Sequence, residues 1–157
     1  MNLKKIIATL SFLLLLNCGY EPIYSKKQSN SNYNFSINSI NYIGDNRVDE
    51  ILKNKLKKII NKEEKSTGLN LNLNSALIKV ITSKDKKGNP KTFSIKIIIN
   101  LEIYESEILK GKANFEENFE YNNRSNKFDL RKYEKNIQNN LISGLSDEII
   151  RYLNLLR

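Results

Sequence analysis

The side chains that most often perform catalysis are scarce in this sequence. Histidine is absent from its 157 residues, so the commonest general base and the imidazole metal ligand are both missing. Eight of the 17 acidic residues form four adjacent pairs, Asp49-Glu50, Glu63-Glu64, Glu116-Glu117 and Asp147-Glu148. Neighbouring side chains on a helix or a strand point in different directions, so we expect these pairs to be surface charges. Since the sequence also lacks a glycine-rich phosphate loop, it predicts no enzymatic activity, no metal site and no cofactor.

The one cysteine, Cys18, directly follows a short apolar segment. Lys4 and Lys5 precede an apolar run from Ile6 to Leu16, which has the character of a secretory signal. The run is about eleven residues long, whereas a membrane-spanning helix needs roughly 20. The segment Leu15-Leu16-Asn17-Cys18-Gly19 resembles the lipobox of bacterial lipoproteins, with Asn17 in place of the usual Gly, Ala or Ser. The alternative is an ordinary secreted protein in which this cysteine occurs by chance.

The lipobox interpretation predicts where the mature chain begins. Residues 1–17 are then a signal peptide that is removed, and Cys18 carries acyl chains such as palmitate. Each buried methylene contributes about 0.8 kcal/mol, and stable anchoring needs more than one chain. Gly19 rather than an aspartate follows the cysteine, which by resemblance to enterobacterial sorting rules favours the periplasmic side of the outer membrane. Because the only thiol is committed to lipid, we expect a domain without disulfides.

Basic residues outnumber acidic ones. The chain has 26 Lys and Arg against 17 Asp and Glu, a formal charge of +9, and loss of Lys4 and Lys5 with the acid-free signal peptide leaves +7. A basic surface favours polyanions. In an exported protein these are anionic lipid headgroups or lipopolysaccharide phosphates rather than nucleic acid. The plainer alternative is a solvated surface that reflects a chain rich in Lys, Asn and Ile throughout.

Hydrophobic periodicity predicts the elements that position these cations. Residues 18–34 predict a flexible linker, because Ser25 to Asn34 is polar and lacks periodicity. The stretch from Phe35 to Tyr42 predicts a strand with a bulge between Ile37 and Ile40. An N-cap at Asp45 or Asn46 then begins a helix with an apolar stripe, and Gly68 provides a stop beyond its end. Alternation predicts three more strands, and spacings of three and four predict a last helix. These elements run from Leu69 to Thr82 with a phase shift near Ala76, from Phe93 to Ile103, from Ala113 to Tyr121, and from Asp129 to Leu156.

The predicted order, β-α-β-β-β-α, indicates one domain over residues 35–157. Two amphipathic helices bury their apolar stripes by covering one face of the sheet. The fold class is therefore α+β, a two-layer sandwich with a four-stranded, mostly antiparallel sheet and two helices on one face. A right-handed crossover through the first helix makes the first strand parallel to the second.

A resemblance to a known family rests on the segment Cys18-Gly19-Tyr20-Glu21-Pro22-Ile23-Tyr24. It resembles the start of the mature LptE proteins, lipoproteins of the lipopolysaccharide-assembly translocon. Asn46-Arg47-Val48 and the helix after it also resemble the first helix of that family. The resemblance implies a non-enzymatic plug and assembly partner of the LptD outer-membrane β-barrel that binds lipopolysaccharide during its insertion. A free-standing periplasmic lipoprotein that binds anionic lipid or peptidoglycan is the alternative function.

The predicted topology brings two connections to one end of the sheet. If the second strand runs up and the third runs down, the turn between them lies beside the connection from the fourth strand to the last helix. Their cations would form a basic rim for lipid A phosphates or for an acidic barrel wall. The rim consists of Lys84, Lys86, Lys87, Lys91, Arg124 and Lys127. Its alternative is a set of solvated turn residues.

Overall fold

A computed structural model of the chain describes residues 35–60 and 68–156. The predicted signal peptide, the lipid at Cys18 and the linker over 18–34 lie outside the described residues. The elements are strand β1 (Ile37–Gly44), helix α1 (Asn46–Leu56) with a 3-10 turn (Lys57–Ile59), strands β2 (Leu69–Lys84), β3 (Pro90–Glu105) and β4 (Ile108–Asn122), and helix α2 (Lys127–Leu155).

The four strands form one mixed sheet in the order β1-β2-β3-β4. β1 pairs with β2 in parallel, from Ile37 opposite Leu69 to Gly44 opposite Ser75, and the register shifts between Ile37 and Ser39. This shift is the predicted bulge. β2 pairs antiparallel with β3, and β3 pairs antiparallel with β4. The α+β fold class and the parallel first strand are therefore confirmed.

Both helices pack against one face of this sheet. Alternate residues of β2 and β3 are buried on that face, and they form one core with the apolar stripes of α1 and α2. α1 begins as predicted, because the Asp45 side chain accepts hydrogen bonds from the N–H groups of Arg47 and Val48. No helix among the described residues covers the opposite face of the sheet, which is largely polar.

Three local predictions need correction. Asp49, expected as a surface charge, is buried and accepts a hydrogen bond from Ser75 Oγ at 2.7 Å. β2 pairs with β3 without interruption from Leu69 to Ile81, so the phase shift near Ala76 is a change in which face carries apolar residues and not a backbone irregularity. The turn between β3 and β4 is also shorter than the gap between the predicted strands, which end at Ile103 and begin at Ala113. It consists of Ser106 and Glu107, both with positive φ of 47° and 66°, the conformation that matches the twist of paired strands.

Candidate polyanion-binding surfaces

The turn between β2 and β3 is held rigid by one carboxylate. Asp85 Oδ1 accepts hydrogen bonds from the N–H groups of Lys87 and Asn89, each at 2.8 Å, and Asp85 Oδ2 accepts one from Asn89 Nδ2 at 3.1 Å. The Asn89 side-chain hydrogen bond is the main reason that the pKa of Asp85 lies below its ordinary value. The turn is therefore an ordered platform, and the side chains of Lys86 and Lys87 are exposed on it.

The connection from β4 to α2 is joined to the same end of the sheet. Asn123 N–H donates to the Lys91 carbonyl, and Asn123 Nδ2 donates to the Pro90 carbonyl, each at 2.8 Å. Asn126 then caps α2 by accepting from Phe128 N–H at 2.9 Å. The two segments of the predicted rim thus lie side by side.

The six predicted rim residues are all exposed, but they do not all point to one place. The Arg124 guanidinium lies over the Tyr133 ring, 3.9 Å from its centroid, which holds it against α2. Lys127 Nζ lies 3.4 Å from Asn123 Oδ1. The lysines at positions 84, 86, 87 and 91 have no ion pair with a carboxylate in the described part of the chain. Four unpaired cations at one turn remain available to an anion.

A second cationic surface was missed by the sequence analysis. A cavity of about 560 Å³ opens between the first turn of α1 and the amino-terminal half of α2. Its lining residues are Arg47, Phe128, Arg131, Lys132, Glu134, Lys135 and Gln138. Arg47 Nη1 donates to Oε1 of the buried Gln138 at 2.5 Å, which joins the two helices at the wall of the cavity.

The charges of this cavity are unbalanced. Its one carboxylate, Glu134, already accepts hydrogen bonds from Lys79 Nζ at 2.6 Å and from Tyr121 Oη at 2.8 Å. The four cations, Arg47, Arg131, Lys132 and Lys135, have no ion pair with a carboxylate of the described residues. Phe128 is 66% exposed at the same cavity. An anionic ligand with an apolar part fits this combination.

The helix-free face of the sheet is a third surface. Cross-strand rows place Asn74, Asn100 and Asn114 side by side, and Asn114 Nδ2 donates to Asn100 Oδ1 at 2.7 Å. Ion pairs join Lys96 to Glu116 at 2.9 Å and Lys112 to Glu102 at 2.5 Å on the same face. A surface of paired polar side chains suits contact with another polar surface.

The described residues contain no group of three or more His, Cys, Asp or Glu side chains able to hold a metal ion. Among the same residues, no helix is both long and apolar enough to cross a membrane.

The fold of this chain is shared with solved structures of bacterial lipoproteins. No family model matches the chain, and no curated protein matches it by sequence. Its structure is similar to rare lipoprotein B from Shewanella oneidensis, with a TM-score of 0.55 and 12% identity over 74% of this chain and 93% of that one. It is also similar to a minor lipoprotein from Acinetobacter baumannii, with a TM-score of 0.58 and 9% identity over 77% and 93% of the two chains. A lipoprotein B from Nitrosomonas europaea matches with a TM-score of 0.51 and 12% identity over 74% and 83%.

These neighbours are lipoproteins, and two of them are named lipoprotein B. At identities of 9 to 12% they establish the fold. The resemblance that the amino-terminal segment indicated is therefore confirmed at the level of the fold.

Proposed function

We propose that this chain is a lipid-anchored outer-membrane protein of the LptE kind, which plugs an LptD-type β-barrel, assists its assembly and binds lipopolysaccharide. The observation that carries this proposal is the fold shared with rare lipoprotein B over 93% of that chain. The Cys18 motif supplies the anchor, and the periplasmic side of the outer membrane follows from it.

The helix-free sheet face supports the plug role. A plug inside a β-barrel meets a lumen that is polar. The asparagine rows and cross-strand ion pairs offer such a lumen hydrogen-bonding groups.

The basic rim supports lipopolysaccharide binding. Charge-assisted hydrogen bonds from Lys and Arg to phosphate are about twice as strong as neutral ones. The turn at Lys86 and Lys87 presents its cations from an ordered backbone, which lowers the entropic cost of binding. Recognition rather than catalysis is the role that a histidine-free sequence supports.

The barrel partnership is tested by purification from membranes. The tagged full chain, extracted in mild detergent, should retain a large outer-membrane β-barrel through a second purification step. Mass spectrometry should find acyl chains on the wild-type amino terminus and none on a Cys18→Ser variant. Recovery of the lipidated chain without a barrel would favour the free-standing lipoprotein that binds anionic lipid or peptidoglycan.

Lipopolysaccharide binding is tested by charge reversal at the rim. A Lys86→Glu, Lys87→Glu and Arg124→Glu triple variant should bind lipopolysaccharide about tenfold more weakly than wild type, because phosphate contacts become repulsive. The matched control reverses three exposed cations away from the rim, Lys55, Lys57 and Arg151. Equal loss in both variants would show that only net charge matters and would remove the rim as a site.

A further inference from the structure

β2 is much longer than the strand beside it. β1 ends its pairing where Gly44 lies opposite Ser75, and the chain then turns into α1. β2 continues to Lys84 with β3 on its other side. The outer half of β2 is therefore an open sheet edge.

The direction of the backbone groups along this edge follows from two hydrogen bonds. Leu69 N–H donates to Ser36 O at 2.8 Å, and Ser75 O accepts from Asp45 N–H at 3.2 Å. Odd-numbered residues of β2 thus direct their backbone groups towards β1. Alternation in a strand is strict, and β2 pairs with β3 without interruption as far as Ile81. The N–H and C=O groups of Leu77, Lys79 and Ile81 therefore face outward, without a strand partner in the described residues.

Proteins usually protect such an edge with outward-pointing charges, especially lysine. Here the lysine is directed elsewhere, since Lys79 Nζ bonds Glu134 at 2.6 Å and lies 4.6 Å from the centroid of the Phe93 ring. The neighbouring Ile78, Val80 and Ile81 are 42%, 49% and 47% exposed. The edge is apolar and β-branched, which suits strand pairing.

The cationic cavity lies beside this edge. Lys79 connects the two, because its partner Glu134 lines the cavity. A strand added to β2 would direct alternate side chains to the helix side, where Arg47, Arg131 and Lys135 have no described carboxylate partner. Its other side chains would meet Ile78 and Val80 on the helix-free face.

We infer that the outer half of β2 binds an extended segment of a partner protein as a fifth strand. The chemistry of the site specifies that segment, with acidic side chains alternating with apolar ones. Main-chain hydrogen bonds to Leu77, Lys79 and Ile81 supply affinity, and the cationic wall selects the acidic face. This inference does not depend on lipopolysaccharide binding at the rim.

Two other occupants fit less well. A second copy of this chain would bring its own Lys79 and Lys84 to a site that is already cationic, and its formal charge without residues 1–17 is +7. A phosphorylated lipid would satisfy the cations but would leave the alternating N–H and C=O groups of the edge without partners.

The probe is a nine-residue peptide that alternates Glu and Val, added to the lipid-anchored full chain in detergent. Amide exchange measured by NMR should slow about tenfold at Leu77, Lys79 and Ile81. The amides of Ile78 and Val80, which face β3, should change little. A control peptide with Lys in place of Glu should bind about tenfold more weakly.

Two variants separate the backbone and charge contributions. Ile81→Pro removes a donor that faces outward, so the β2–β3 pairing should survive while peptide binding is lost. Arg131→Glu with Lys135→Glu should weaken the Glu peptide and strengthen the Lys peptide. A Glu-Val peptide with N-methylated amides replaces the proline variant if that variant does not fold, and it should not bind.

Peptide binding without protection of the three odd-numbered amides would overturn the inference. Equal binding of the Glu and Lys peptides would also overturn it. So would slowed amide exchange around the cavity with lipopolysaccharide but not with the Glu-Val peptide. Unchanged lipopolysaccharide affinity in Ile81→Pro is the expected result, and it keeps this test separate from that of the rim.

Discussion

At the scale of single residues, buried polar groups tie α1 to the sheet. Ser75 Oγ donates to Asp49 Oδ1 at 2.7 Å and accepts from Asp45 N–H at 3.0 Å. One serine on β2 thus serves both the N-cap residue and the first turn of α1. Nearby, Tyr42 Oη is buried without a hydrogen-bond partner among the described residues. Ser75 thus has hydrogen-bond partners for its hydroxyl, whereas the Tyr42 hydroxyl has none among the described residues.

Replacing Tyr42 with Phe should leave the free energy of unfolding at neutral pH unchanged or increased, because the lost hydroxyl has no partner. Burial, with the nearby Asp49 charge second, raises the pKa of Tyr42 to about 12 from 10.0. Wild type should therefore lose stability as the pH rises from 10 through 12, since the unfolded tyrosine ionises first. The variant should lose less over that range, as measured by urea denaturation.

Tyr121→Phe is the control for this change. Its hydroxyl donates to Glu134 at 2.8 Å, so the variant should be about 1 kcal/mol less stable at pH 7. Equal stability of the two Phe variants at pH 7 would contradict the assignment of an unpaired Tyr42 hydroxyl.

A second prediction concerns Glu117. Its partner across the sheet is the buried Ile97, so it lies on the helix-covered face, whereas Glu116 is exposed on the other. Burial, followed by repulsion from Glu148, raises the pKa of Glu117. The destabilisation by the Glu117 charge is therefore fully present at pH values above the raised pKa, and it is absent at pH values well below the ordinary pKa of 4.5. Glu117→Gln should therefore raise Tm at pH 7 and have little effect at pH 3.

The neighbouring substitution Glu116→Gln is the matched control. It removes an ion pair with Lys96 on the solvent side, so it should lower Tm slightly or leave it unchanged at pH 7. A rise in Tm with both substitutions would assign the effect to overall charge instead of burial.

At the scale of elements, the glycine in the middle of α2, Gly144, packs against the side chain of Glu117 on β4. A Cβ on Gly144 would lie 3.2 and 3.3 Å from the two carboxylate oxygens of Glu117. Ala exceeds Gly in helix propensity by about 1 kcal/mol. Gly144→Ala should therefore be near neutral in wild type, because the crowded carboxylate offsets the propensity gain.

The same substitution in a Glu117→Ala background should stabilise by about 1 kcal/mol, because the crowding is then gone. Denaturant unfolding of the four proteins in this cycle measures the coupling. Identical effects of Gly144→Ala in both backgrounds would show that the carboxylate does not limit the site.

The elements themselves were largely predictable. Period-two alternation in the first half of β2 and in β3, and helical spacing in α2, place their residues on the correct faces, because each pattern reflects burial directly. The cap at Asp45 was also predictable from its residue type. Glu117 was not, because its sequence neighbour Glu116 suggested a shared exposed stretch.

The candidate sites divide in a similar way. The position of the rim was predictable from the topology, because the β2–β3 turn and the connection from β4 to α2 lie at the same end of the sheet. The cavity does not, because it joins Arg47 to residues 131–138 through helix packing that no local pattern encodes. Cations at Arg131, Lys132 and Lys135, spaced to share one side of a helix, were the available signal. The open edge at the outer half of β2 depends on where β1 ends, so it too could not be predicted from the sequence.

At the scale of the whole molecule, the pairing of β1 with the sheet depends on a close contact between the backbones of Gly44 and Ser75, where the chain turns from β1 into α1. Gly44 has a φ of +132°, and a Cβ there would lie 2.0 Å from the Ser75 carbonyl oxygen. Gly44→Ala should therefore cost about 3 kcal/mol or more, through both backbone strain and displacement of β1. Thermal unfolding measures this loss.

Gly88→Ala is its control. Gly88 also has a positive φ, +85°, but a Cβ there has no neighbour within 4 Å. Only the local backbone strain remains, about 1 kcal/mol. A similar Tm in both variants would show that β1 does not depend on close contact at Ser75.

The short parallel β1 also bears on the order of folding. β2, β3 and β4 meet through local turns, whereas β1 reaches β2 only after the intervening helix has formed a crossover, and contacts distant along the chain form slowly. A three-stranded meander can thus assemble first, with the entire length of β2 still unpaired. Any change that delays the docking of β1 prolongs the period in which a nascent chain is open to misassembly with its neighbours.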